Sequence, residues 1–285
     1  MKTKHRGWIH ILIFIIPYLL FLSLVQVAGY AILGYDLTDF EAEKSAFQEV
    51  YTSYLSLIAT FIAMWFFMRF MDKLPFIKLG FQTKGRLRDF NFGVILGAVI
   101  MLLGYLILTV FKEIDFTHFF FDVYQLFLSV LLFVSVAILE EVLVRGYILR
   151  NLMISFNKYV ALVISSLIFA IMHLANPNID LLSFIDLFLA GILLGISYIH
   201  TKNLWFPIGL HLGWNLFQSL FGFNVSGQDF YSFIEFKVPE ANIINGGAFG
   251  FEGSILAVIA QIVVIITIGY YYYYQKQPTN TTITD

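Results

Sequence analysis

The chain has 285 residues, of which 59% are hydrophobic and only 13% charged, and its mean hydropathy is +0.82. A water-soluble domain is about half apolar and about a quarter charged, so most of this chain cannot face water. The net charge of −2 offers no basic patch for nucleic acid, and the absence of cysteine excludes disulfides and thiolate metal sites while leaving the redox compartment unread.

A membrane-spanning helix needs roughly 20 mostly apolar residues. Eight segments qualify along the chain: 8–33, 51–71, 90–111, 123–150, 159–175, 181–199, 205–221 and 254–274. The fifth and seventh are short and interrupted by polar residues. Unbroken apolar runs without two-residue alternation indicate helices rather than barrel strands. The basic start at 1–6 has the flavour of a signal peptide, but the run behind it is too long for one and no small-residue cleavage site follows. It is read as a retained first helix. The fold class is therefore all-α, a polytopic membrane helix bundle of about eight transmembrane helices. Residues 1–122 form N-terminal membrane helices, 123–221 a core, and 222–285 an external loop, the last helix and a short polar tail. Gly93/Gly97, Gly191/Gly195 and Gly209/Gly213 have the small-xxx-small spacing that permits close helix contact. No internal repeat of the kind found in many transporters is visible.

Lysine and arginine give an orientation, because cytoplasmic segments carry their excess. With the N-terminus inside, the inner segments and their flanking helix ends hold thirteen: Lys2, Lys4, Arg6, Arg69, Lys73, Lys78, Lys84, Arg86, Arg88, Arg150, Lys158, Lys202 and Lys276. The outer segments hold three, Lys44, Lys112 and Lys237, and Arg145 lies within a span. Asp39, Glu41, Glu43 and the 222–253 loop fall outside. Both termini are expected in the cytoplasm. The run 270–274 of tyrosines ahead of Lys276 suits the aromatic belt at the inner interface.

Three spans carry polar residues that insertion into lipid penalises, a charge at mid-bilayer costing on the order of 2.5–3.5 kcal/mol. The fourth contains Glu140, Glu141 and Arg145. Glu141 and Arg145 share a helix face and can pair, whereas Glu140 is rotated by about 100° and points elsewhere. A buried ion cluster that only fixes packing is the plainer alternative, although a single pair would suffice for it. The fifth span has Phe169 and His173 one turn apart, and a lone histidine there is commonly a packing residue. The seventh has His211 and Asn215 on one face, beside Gly209 and Gly213, behind a helix start at Pro207. An interhelical hydrogen bond would also account for that pair. Asp186 is read as a packing polar group, and Tyr198 and His200 as interfacial.

Depth makes the combination sharper. Glu140 sits roughly 15 Å, His173 roughly 20 Å and His211 roughly 9 Å from the cytoplasmic ends of their spans. All can meet in the middle-to-cytoplasmic part of the bilayer. A carboxylate, two imidazoles and a carboxamide in a dry bundle suit water chemistry, with base, proton relay and oxyanion donors supplied. No serine or cysteine stands in a recognisable nucleophile setting.

These residues carry a resemblance. Glu140–Glu141 with Arg145 (E-E-x-x-x-R), Phe169 with His173 (F-x-x-x-H) and His211 with Asn215 (H-x-x-x-N) resemble the three motifs of the CPBP family. These are intramembrane endopeptidases related to type II CAAX prenyl proteases and to bacteriocin-processing or self-immunity proteins, also called the Abi family. The stretch 204–215, LWFPIGLHLGWN, is especially similar to the third motif, and the resemblance covers about 131–221. It implies that Glu140 and His173 activate water, that His211 and Asn215 bind the oxyanion, and that Glu141 and Arg145 brace the site. The implied substrate is a hydrophobic peptide or a membrane protein, in a membrane that composition suggests is bacterial. Zinc on Glu140, His173 and His211 is the alternative chemistry, but neither H-E-x-x-H nor fixed ligand spacing is present, so metal-free hydrolysis is favoured. A non-catalytic immunity or sensor-binding protein keeping the same polar set, and a transporter, are the competing functions.

Overall fold

Polar residues at the edges of the apolar runs set where the helices begin. A computed structural model describes residues 6–34 and 44–275; Lys2, Lys4, Asp39, Glu41, Glu43, Lys276 and the 279–285 tail lie outside them. The described residues form eight main helices: α1 (Gly7–Ile32), α2 (Ala46–Phe70), α3 (Leu87–Val110), α4 (Val123–Ser155), α5 (Lys158–Met172), α6 (Leu181–Thr201), α7 (Trp205–Leu220) and α8 (Ile255–Tyr274). Helix α2 starts ahead of the expected residue 51 because Ser45 and Gln48 form a reciprocal capping box. Asp122, Asn157, Asp180 and Ser254 likewise accept hydrogen bonds from free backbone N–H groups at the starts of α4, α5, α6 and α8.

Six of these helices are long and apolar enough to cross a membrane. Helix α5 has 15 residues and α7 has 16, short of the roughly 20 a span requires. Helix α7 is mostly buried, whereas α5 keeps an outward apolar face (Val163, Leu167, Ile171) and buries its serines, Ser165 and Ser166, against its neighbours.

Successive connections alternate between the two ends of the bundle. At one end the α3–α4 and α7–α8 connections meet as a short antiparallel ribbon, β1 (Asp115–Phe119) with β2 (Ile234–Lys237), pairing Asp115 with Lys237 and Phe119 with Ile234. The sequence predicts an external loop over 222–253, and β2 is the part of it that pairs. At the opposite end the α2–α3 and α6–α7 connections join. Leu204 N–H donates to Gly80 O at 3.0 Å, and Asn203 Nδ2 to Gln82 O at 2.8 Å. Tyr198 is fully buried at this end and donates its hydroxyl to Leu79 O at 2.9 Å. Asp72 at this end pairs with His10 at 2.6 Å and Arg150 at 3.1 Å. Most of the basic residues cluster here, so this is the basic end and the other the ribbon end.

Helices α3 and α7 pack backbone against backbone. A Cβ added at Gly93 would lie 2.5 Å from Leu210 N, and one at Gly97 would collide with Trp214 N. In return, Cβ atoms at Gly209 and Gly213 would strike the carbonyl oxygens of Phe90 and Val94. The two small-residue pairs thus face each other as a seam, the close-approach geometry that such spacing allows. Gly191 of α6 meets Ser166 of α5 in the same way, its added Cβ falling 2.7 Å from the serine Cα.

Gly97→Ala is expected to lower stability by about 1–3 kcal/mol, since the backbones must separate to admit the methyl group. Gly269→Ala, where a Cβ would meet only Ile196 Cδ1 at 3.7 Å, is the control and should leave the melting temperature in detergent nearly unchanged. Equal melting of the two variants would contradict the seam.

Candidate active site

The fourth helix carries the charges. Its α-helical part ends at Glu141, and Val142–Leu149 continues with the wider π spacing before the α pattern resumes at Arg150. Such insertions are rare and concentrate at functional sites. Arg145, in this stretch, has no exposed surface. Its Nη1 donates to Glu141 Oε1 at 2.7 Å, its Nη2 to Gly191 O at 3.1 Å, and its guanidinium lies 4.5 Å from the Phe169 ring centroid. One cation therefore ties α4 to α6 and α5.

The same Glu141 Oε1 contacts His211 Nδ1 at 2.9 Å. Glu141 thus does more than balance Arg145. It holds the His211 ring so that Nε2 faces the other carboxylate, and since a carboxylate only accepts, Nδ1 carries a proton. This contact crosses from α4 to α7, and helix periodicity within one element carries no signal of it.

His173 caps the end of α5. Its Nδ1 donates to Phe169 O at 2.8 Å, satisfying a carbonyl freed by the helix end. That bond fixes the Nδ1–H tautomer and leaves Nε2 to act as acceptor. His211 and Asn215 sit one turn apart on α7, 6% and 7% exposed. Their helix is positioned by the glycine seam.

Glu140 Oε2 lies between the imidazoles, 3.8 Å from His173 Nε2 and 3.9 Å from His211 Nε2. These distances exceed a hydrogen bond but suit a bridging water. The oxygen is buried and has no hydrogen-bond partner among the described residues. Glu140, His173, His211 and Asn215 all line one cavity of about 460 Å³. Glu141 and Arg145 stay behind its wall.

Glu252, in the connection before α8, accepts from Trp214 Nε1 at 3.0 Å and from Ser226 N–H at 2.8 Å. It thereby holds the residue next to Asn215 and ties the connection over the cavity; a lone acid in a glycine-rich loop gave no pattern to find it by. Asp186 is buried and accepts from Gln261 of α8 at 2.9 Å, a packing contact as expected. His200 stacks on Tyr272, centroids 4.4 Å apart, at the basic end and away from the cavity.

Zinc fits this arrangement poorly. Ligand atoms of a tetrahedral zinc site stand roughly 3.3 Å apart, given metal–ligand bonds of about 2.0–2.1 Å. Both carboxylate–imidazole separations are wider, and no group of three or more His, Asp or Glu among the described residues is arranged to hold a metal ion.

Glu141→Gln leaves the buried Arg145 without its full counterion, and Arg145→Ala leaves the buried Glu141 facing His211 alone. Breaking a buried pair costs about 3–5 kcal/mol. Both variants should therefore melt well below wild type in detergent and accumulate poorly in membranes. Wild-type melting of either would show that the pair does not brace the site.

Residues 122–217, about a third of the chain, match the family described as Type II CAAX prenyl endopeptidase Rce1-like. No curated protein and no solved structure matches the chain. The matched segment runs from the cap of α4 into α7 and includes all seven motif residues, in agreement with the resemblance to the CPBP family of CAAX-type intramembrane endopeptidases.

Proposed function

We propose that the protein hydrolyses a peptide bond of a hydrophobic peptide or membrane protein, using a water activated by Glu140 and His173 without a metal. The observation that carries this reading is the buried, unpartnered Glu140 Oε2 between two imidazole nitrogens on a cavity wall. A water there can donate one hydrogen to Glu140 and the other to His173 Nε2, whose tautomer leaves it free to accept. As the water oxygen bonds to the scissile carbonyl carbon, Glu140 takes its proton. The carbonyl oxygen becomes an oxyanion, which accepts from His211 Nε2–H and the Asn215 carboxamide. For His211 to donate there while Nδ1–H faces Glu141, the ring must be an imidazolium; Arg145 already takes the Glu141 charge, so Glu140, and then the oxyanion once Glu140 is protonated, balances the ring. Collapse of the intermediate breaks the C–N bond, and the proton held by Glu140 passes to the leaving amine. Preorganised donors at a developing oxyanion in a dry site supply a large part of such catalysis.

The cell membrane of a bacterium with both termini inside is the setting that composition and charge favour. Glu140→Gln is nearly isosteric and orphans no cation. It should keep the wild-type melting temperature while cutting cleavage of a peptide substrate by about 10²–10⁴-fold. Asn215→Ala should lose about 10²–10³-fold as an oxyanion donor. Cleavage by purified variants decides: full activity of Glu140→Gln ends the glutamate mechanism. EDTA should leave wild type active, and inhibition reversed by Zn²⁺ would favour the metal version instead. In cells, a phenotype that survives Glu140→Gln at normal protein level would point to a non-catalytic partner.

A further inference from the structure

The end of the bundle from which the cavity is reached decides which peptides can meet Glu140. Its lining comes mostly from the ribbon-end half of the helices, with Leu193, Leu194, Leu210 and His211 near mid-helix at its floor. Helix α1 contributes Gln26 and Tyr30 near its C-terminal end, α2 contributes Glu49 and Ser53 near its N-terminal end, and the connections at the ribbon end add Asn176 and Gln228. Lys44 and Gln228 at the rim are exposed, while Tyr30, Glu49 and Asn176 are half-buried.

Toward the basic end the space between the same helices is filled. Phe14, Met64, Met68, Leu79, Tyr147 and Leu204 have no exposed surface at all. The Tyr198–Leu79 hydrogen bond and the Leu204–Gly80 backbone bond lock the connections across this plug. A close-packed interior of this kind leaves no route for a peptide. Among the described residues, then, the cavity opens at the ribbon end and is closed at the basic end.

Charge supplies the second, independent observation. Ten described lysines and arginines lie at or flank the basic end, from Arg6 through Lys202, against Lys44, Lys112 and Lys237 at the ribbon end. The excess marks the cytoplasmic side.

We propose that the active site is entered from the non-cytoplasmic face of the membrane, so that its substrate is an extended peptide segment presented at the outer surface. A cytoplasmic lipidated tail would have to cross the plug. The substrate assignment rests on the peptidase reading above; the direction of entry does not. The cavity's size suits a short extended segment rather than a folded domain. Its walls suit such a segment too, with Leu132, Phe133 and Val136 on one side and Gln26, Thr52 and Ser56 on the other. Apolar side chains and a peptide backbone would each find a matching surface.

The absence of native cysteine makes the test direct. Single variants Gln228→Cys at the rim, Gln26→Cys inside the cavity and Lys84→Cys at the basic end are treated in intact cells with a membrane-impermeant maleimide. Gln228→Cys and Gln26→Cys should be modified, and Lys84→Cys only after permeabilisation. Asn176→Cys gives the same reading if Gln26→Cys does not accumulate. Modification of Gln26→Cys from outside should also abolish peptide cleavage. The reverse labelling pattern overturns the proposal, as does a Gln26→Cys that reacts only after permeabilisation while Gln228→Cys reacts from outside. Loss of the peptidase reading is seen separately, as undiminished cleavage by Glu140→Gln with the labelling pattern intact.

Discussion

A guanidinium with no exposed surface, placed in the middle of an apolar bundle, is the constraint around which the rest is arranged. Arg145 cannot shed its proton, so burial leaves it a cation that must be compensated where it stands. Glu141 supplies the charge, Gly191 a carbonyl and Phe169 an aromatic face. Each partner belongs to a different helix or a different turn, so meeting the demand of one side chain fixes the relative positions of α4, α5 and α6. Glu141 then passes the constraint to α7 through His211. A stabilising network and an orienting one are here the same atoms.

Packing completes what charge begins. The Gly93/Gly97 and Gly209/Gly213 seam brings α7 against α3 with no side chains between them, so little slack remains along that contact. His211 and Asn215 project from this helix and inherit its placement. Helix α5, stopping short at His173, lets an imidazole occupy the place where a longer helix would have continued its backbone. The carbonyl left over at Phe169 is the one that sets the ring's tautomer.

Much of this was legible in the chain. Apolar runs gave the eight helices, and pairs four residues apart gave the faces of Glu141/Arg145 and His211/Asn215. The bond between Glu141 and His211 was not legible, because it joins residues 70 apart on different helices and no periodicity within either encodes it. The π stretch at Val142–Leu149 was hidden for a related reason: its sequence reads as an ordinary apolar helix, and the departure comes from what surrounds it. Counting 1.5 Å per residue set Glu140, His173 and His211 in the middle-to-cytoplasmic part of the bundle but said nothing about which half was hollow. That depends on side chains such as Met64 and Tyr147 filling space between helices, a property of the assembled bundle rather than of any segment. Glu252 was missed because an isolated acid in a loop has no pattern until Trp214 is seen beside it.

The cavity's two sides are built on different principles, and this bears on how such a protein diversifies. One side is α4, α5 and α7, crosslinked by a buried ion network and a backbone seam. The other is the facing surface of α1 and α2, where small hydroxyl-bearing side chains such as Ser56 bond to their own helix backbone or, through Gln26, to one neighbour. Exchanging residues on that surface leaves the charge network and the seam untouched. On the proposed peptidase reading, selectivity is thereby uncoupled from turnover: the surface that meets a new peptide can drift while the machinery that cuts it stays still.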